Sequence, residues 1–138
     1  MLLGDTVKAE AQFELILQQD ARNVAALNNL GWLLQRSDPK RALSLANLAD
    51  KLSPNSPEVL DTLGMVKLGQ KDVKGALDAI NRAHTLRPKD GEIAYHLVLA
   101  LDANGKRDAA KQTLKSLLDS GVKFAELASA MQLQASWR

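Results

Sequence analysis

Apolar positions along this chain fall into paired helical stripes separated by short polar turns. The clearest unit runs from Leu60 to Pro88. Leu60, Leu63 and Gly64 share one helical face, Ala76, Ile80 and Ala83 share a second, and Pro88 closes the unit. The same skeleton recurs upstream as Leu27, Leu30, Gly31, Leu34, Ala42, Ala46, Ala49 and Pro54. It recurs downstream as Ala94, Leu97, Leu101, Ala110, Leu114 and Leu117. Apolar residues at three- and four-residue spacing mark amphipathic helices. Paired helices repeating at a period of about 34 residues mark a helix-turn-helix array. No stretch alternates with the period of a strand. The expected fold is all-α: a right-handed α-solenoid of antiparallel helix pairs, each burying its apolar stripe against its neighbours.

Punctuation residues set the expected boundaries. Asp5 or Thr6 is a candidate cap for a first helix over 5–20, with Ala9, Phe13, Ile16 and Leu17 on one face. Asn23, Asp38, Ser56, Asp72 and Asp90 are placed to cap later helices by accepting a backbone N–H. Pro39 and Pro57 follow two of those caps at the first helical turn, where proline is tolerated. Asn104-Gly105 and Gly121 read as stops. Gly31 and Gly64 sit inside helices at a propensity cost of about 1 kcal/mol each, so each is expected where a second helix packs too close for a side chain. The leucine-glycine pair lies one residue nearer to Ala42 than its counterpart does to Ala76, so the first turn is expected to be shorter. A last amphipathic helix, with Phe124, Leu127, Ala128, Met131 and Ala135 inward, is expected to cap the array.

At these residues the chain resembles the tetratricopeptide repeat (TPR) family. The resemblance covers nearly the whole chain as a single domain over 1–138. It comprises a half-repeat at 5–23, repeats at 24–56, 57–90 and 91–123, and a capping helix at 124–138. Lys67 stands where the family usually has an aromatic residue, Val98 replaces a small residue, and Ala21 and Val122 replace the closing proline. A narrower likeness lies in A-L-N-N-L-G-W-L-L at 26–34, V-L-D-T-L-G at 59–64, E-I-A-Y-H-L-V-L-A-L at 92–101 and L-L-D-S-G-V-K-F at 117–124. In this order the blocks are similar to the C-terminal part of bacterial envelope TPR lipoproteins of the exopolysaccharide and PEP-CTERM type. That likeness implies an envelope protein whose lipid anchor lies upstream of this chain.

Composition narrows the chemistry. Eighteen Lys and Arg against 16 Asp and Glu leave a net charge of only +2, which by itself argues for no acidic partner. The lysines and arginines are interleaved with acidic residues, without stacking aromatics, and read as a solvated face rather than a nucleic-acid surface. Without cysteine there is no disulfide framework. No apolar run reaches the length of a membrane span, and Met1-Leu2-Leu3 is too short for a signal peptide. The chain is expected to be soluble, either cytoplasmic or a periplasmic fragment of a longer lipid-anchored protein.

No metal site, cofactor or catalytic constellation is expected. The two histidines, His84 and His96, do not pair at ligand spacing, and read as a partly buried and a groove-edge residue. Asp61 and Asp102 read as solvated or ligand-facing charges. Ser53, Ser56 and Ser120 lie at helix ends. The protein is expected not to be an enzyme.

In arrays that look like this one, first helices line a concave groove that holds a partner peptide. Helical phase places Asn28, Trp32, Gln35, Glu58, Asp61, Met65, Leu68, Glu92, Tyr95, Leu99 and Asp102 on that side. Trp32, Met65, Leu68, Tyr95 and Leu99 form an apolar track off the buried stripe. The acidic members suit a partner with some Lys or Arg, and do not suit a clamp for a C-terminal carboxylate. The expected function is therefore a non-catalytic scaffold binding a protein or peptide in this groove, in the setting of bacterial envelope or exopolysaccharide assembly. The alternative is an end-cap or self-association module of a longer solenoid, suggested by the unpaired first helix and by Leu133 and Trp137 lying off the capping stripe.

Overall fold

The computed structural model describes residues 3–138. Met1 and Leu2, which open the short N-terminal apolar run, lie outside the described residues. Among the described residues eight α-helices follow one another: α1 Leu3–Gln19, α2 Val24–Leu34, α3 Pro39–Leu52, α4 Pro57–Gly69, α5 Val73–Leu86, α6 Gly91–Ala103, α7 Arg107–Asp119 and α8 Leu127–Ser136. There is no strand among the described residues. The fold is an α-solenoid in which α2/α3, α4/α5 and α6/α7 form successive pairs.

Local chemistry sets the helix starts. The side chains of Asn23, Asp38, Ser56, Asp72 and Asp90 accept from the backbone N–H of Ala26, Arg41, Val59, Gly75 and Ile93 respectively. Each satisfies an N–H that the helix itself cannot reach. The expected cap at Asp5 or Thr6 is overturned. The first helix begins at Leu3, so both residues lie inside it, where Asp5 faces the positive end of the helix dipole. After α6 the chain reverses through Gly105 at φ +74°. One repeat upstream, Lys71 occupies the same left-handed conformation at φ 68°, where a side chain is disfavoured.

The repeat is visible in its hydrogen bonds. The Gln70 side-chain amide donates to the carbonyl of Pro39 at 2.6 Å. The Asn104 amide donates to the carbonyl of Val73 at 2.7 Å. Both members of the second pair lie one 34-residue repeat beyond those of the first. Each bond runs from the end of a first helix to the start of the preceding second helix, so the same tie sets the stagger of two consecutive units.

Inside each pair the packing surface is built from small residues. Ala42, Ala46 and Ala49 of α3 are fully buried, as are Ala76, Ile80 and Ala83 of α5. Gly31 and Gly64 meet equivalent positions on these helices. A Cβ at Gly31 would lie 3.4 Å from the Ala42 carbonyl oxygen and 3.6 Å from the Ala46 nitrogen. A Cβ at Gly64 would overlap Ile80 Cγ1 and lie 3.2 Å from the Ala76 carbonyl oxygen. The crossings are equivalent but not equally tight, because the position of Ala46 is taken by the larger Ile80. In the third pair Val98 holds the glycine's place, fully buried in a cluster with Ala110 and Leu114.

Two ends of the array differ from expectation. On α1, Phe13 and Leu17 pack against Leu30 and Leu34, but Val7, Leu15 and Ile16 remain exposed. On α8 the expected stripe is rotated. Ala130 is buried and Leu133 and Trp137 pack on the core, whereas Met131 is 57 % exposed. The helix begins only at Leu127, because Phe124 is drawn to the first helix of its unit, where its ring is 6.1 Å from Tyr95. Trp137 carries the Arg107 guanidinium 4.6 Å over its ring. Leu133 and Trp137 are therefore partly buried against the core rather than standing free of it.

The unequal crossings give a measurable contrast. Gly64→Ala should destabilise by about 1–2 kcal/mol, because overpacking against a β-branched side chain outweighs the helix-propensity gain. Gly31→Ala should be neutral or stabilise by up to about 1 kcal/mol. Urea unfolding of the two variants checks this. Equal effects in both would contradict the packing described.

Candidate functional site

The first helices α2, α4 and α6 touch one another in sequence, whereas the second helices α3, α5 and α7 make no comparable contact with one another. The first helices therefore form a continuous wall. At its centre is His96 of α6, only 2 % exposed. Its Nδ1 lies 2.8 Å and 2.9 Å from the two carboxylate oxygens of Asp61 on α4. Its Nε2 lies 3.1 Å from Glu126 Oε1, immediately before α8. The Trp32 ring from α2 covers it, with ring centroids 5.7 Å apart. One imidazole thus joins first helices from three repeats to the start of the terminal helix.

Carboxylates only accept, so both ring nitrogens must donate to satisfy this arrangement, and that requires the imidazolium. Burial pushes the His96 pKa down, but Asp61 and then Glu126 outweigh it, and the net shift is upward. Beside it, burial and the charge of Glu126 raise the pKa of Tyr95. Chemically the cluster is a charge-assisted tie between helices. It presents no activated nucleophile.

The expected groove residues separate into two hollows and a filled region. Asn28, Trp32, Glu58, Asp61 and Glu92 line a hollow of about 180 Å³ between the middle of α2 and the first turns of α4 and α6. Trp32 is 37 % exposed there, and the buried Asn28 Oδ1 has no hydrogen-bond partner. Gln35, Met65 and Leu68 line a wider hollow of about 700 Å³ at the opposite ends of the first helices. Tyr95, Leu99 and Asp102 line neither of these hollows. Tyr95 was expected off the buried stripe but is only 6 % exposed, because Phe124 closes over it. Leu99 packs against the same core cluster, and Met65 packs against Ile80, Leu97 and Ala100.

The acidic residues are also less free than expected. Glu58 pairs with Arg87 at 2.6 Å. Its pKa is lowered first by a backbone hydrogen bond at the helix start and also by Arg87. Asp102 pairs with Arg107 at 2.5 Å, whereas Asp61 pairs with His96.

The His96 cluster was not found in the sequence, where His96 was expected at the groove edge. Asp61 and His96 lie 35 residues apart, one more than a repeat, on first helices of successive units. Combining that spacing with contact between neighbouring first helices would have brought the two together. Nothing in the sequence marks Glu126, which arrives through the irregular turn after α7.

Comparison with known proteins places this geometry. The family model described as tetratricopeptide repeat matches residues 67–133. A TPR repeat-containing protein of Pseudomonas aeruginosa is 29 % identical over 96 residues, covering 68 % of this chain and 16 % of its own length. The chain thus spans about one-sixth of that curated relative. A crystal structure of MamA matches with a TM-score of 0.71 and 26 % identity, over 84 % of this chain and 68 % of that one. A thermophilic TPR protein of Thermus thermophilus matches with a TM-score of 0.76 and 19 % identity, over 85 % of this chain and 66 % of its own. At that identity the second structure speaks for the fold alone.

The pH dependence of the His96 tie follows from its direction of shift. A folded pKa raised above 6.5 means stabilisation that is complete below the unfolded value and is lost as pH rises through the folded one. The thermal midpoint of the wild type should therefore fall as pH increases from about 6 to about 9 relative to that of His96→Gln. A difference between the two proteins that does not change with pH would contradict a charged tie.

Proteins of the TPR fold generally act as non-catalytic scaffolds for protein–protein contact, and the family match together with the stacked helix pairs supports the tetratricopeptide repeat family for this chain.

Proposed function

We propose that residues 1–138 act as a single scaffold domain that binds an extended or helical segment of a partner protein along the wall of first helices. Its repeats are taken as 24–56, 57–90 and 91–123. The observation that carries this reading is Trp32. A large aromatic ring, 37 % exposed, stands on the wall rather than in the core. It is fixed against His96, with a hollow beside it that contains Asn28, Asp61 and Glu92. Tryptophan held in place beside a recess is a frequent anchor of binding energy, since it buries much area at small conformational cost. Asn28, Trp32, Gln35, Met65 and Leu68 are the working contacts, and Tyr95 and Leu99 support the wall from within. Glu92, which makes no ion pair among the described residues, favours a partner segment with a basic side chain.

No bond is made or broken in this mechanism. Preformed helix pairs hold the surface in place, so little ordering accompanies binding. No helix among the described residues is long and apolar enough to cross a membrane. The narrower setting, beside exopolysaccharide assembly at the bacterial envelope, is supported only by the sequence blocks at 26–34, 59–64, 92–101 and 117–124. The exposed Val7, Leu15 and Ile16 of α1 favour a second reading, in which the chain also ends or extends a longer solenoid.

Panning a random peptide library against the protein should yield peptides that carry an apolar anchor and a basic residue. Trp32→Ala should weaken them about tenfold or more while leaving the helical circular dichroism unchanged. Selected peptides that bind this variant as tightly as the wild type would remove the wall of first helices as the binding surface.

A further inference from the structure

A second recess lies on different helices. A cleft of about 790 Å³ opens between α5 and α7, floored by Ala94 of α6. Ala109, Gln112, Thr113 and Ser116 line it from α7, and Ser120 lines it from the C-cap of that helix. They form one stripe that runs roughly 15 Å along the helix. The opposite side is His84 of α5, whose Nδ1 is buried without a hydrogen-bond partner.

The preceding repeat shows what normally fills this space. One 34-residue repeat upstream of Ala94, Ser116 and Ser120 stand Leu60, Arg82 and Leu86. Leu60 is fully buried, and Arg82 reaches the carbonyl of Pro54 at 3.5 Å. Arg82 and Leu86 stand exposed along the edge of their helix, so the buried filling there is Leu60. In the last repeat that position is Ala94, and the cleft is where the chain omits a leucine side chain that it supplies one repeat earlier.

We propose that this cleft binds an extended segment of a partner polypeptide, which seats a leucine-sized aliphatic side chain on Ala94. That side chain takes the place Leu60 holds one repeat earlier. The segment's main chain runs along the α7 stripe. Peptide groups carry both a donor and an acceptor, which suits a lining that offers the exposed Gln112 amide and Ser116 hydroxyl. Neither makes a side-chain hydrogen bond among the described residues. The elongated trough fits four to five extended residues at roughly 3.3 Å each. Cationic Lys89 and anionic Asp90 both stand at the rim, so no net charge is required of the partner. This site is independent of the Trp32 wall, and either can fail without the other.

The probe is the peptide acetyl-Ala-Leu-Ser-Ala-amide, titrated into the ¹⁵N-labelled protein and followed by NMR. Saturable shifts are expected at Ala94, Ser116 and the His84 ring. A version with serine in place of leucine should bind about tenfold more weakly, the loss expected for a buried aliphatic group. Ala94→Leu, which restores the upstream side chain, should abolish the shifts. Ser116→Arg, at the exposed rim, should do the same if Ala94→Leu does not fold. Trp32→Ala should leave them intact. Absence of saturable shifts, equal affinity for the two peptides, or binding that persists in the filled variants would each overturn the proposal.

Discussion

The fold depends on how closely first and second helices approach within a pair. Ala42, Ala46 and Ala49, then Ala76, Ile80 and Ala83, are completely buried along two successive second helices. Small side chains at these positions let the backbones come together and gain dispersion contacts that a larger residue would prevent. The tightest point is Gly64 against Ile80. Everything outside the pair inherits its geometry. Once each hairpin has a set shape, the repeated amide ties from Gln70 and Asn104 fix how one hairpin sits on the next. The wall of first helices then follows from stacking alone.

Much of this was legible in the sequence, for a physical reason. Burial of small residues at helical spacing and the capping of helix starts are local, repeated and written in residue type. Asn23, Asp38, Ser56, Asp72 and Asp90 all cap as their chemistry requires. Departures occur where the repeat ends. The stripe of α8 departs from its periodicity because Phe124 leaves the helix to cover Tyr95, which shifts the helix start and turns Leu133 and Trp137 toward the core. Periodicity cannot register a residue recruited across an irregular turn. The same event buried Tyr95, which helical phase alone placed on the open wall.

The candidate site was legible as a surface but not as a cluster. Trp32, Met65 and Leu68 do stand on first helices beside hollows. What single-helix phase could not show is that Asp61, His96, Trp32 and Glu126 converge from four segments. Their convergence has a consequence for the wall. The Trp32 ring packs against His96, and Asp61 and Glu126 favour the charged form of His96. The ring that would anchor a partner thus rests against an ion-paired tie that also fastens the terminal helix. Removing the imidazolium is costly chiefly because the largely buried Asp61 carboxylate would be left unpaired.

The central claim is that stacked hairpins leave the first helices as a rigid surface for another polypeptide. Cross-saturation NMR on the complex with a selected library peptide tests it most directly. The account predicts signal loss concentrated at Asn28, Trp32, Gln35, Met65 and Leu68, with the amides of α3 and α5 unaffected. Signal loss confined to the second helices, with Trp32 untouched, would contradict it.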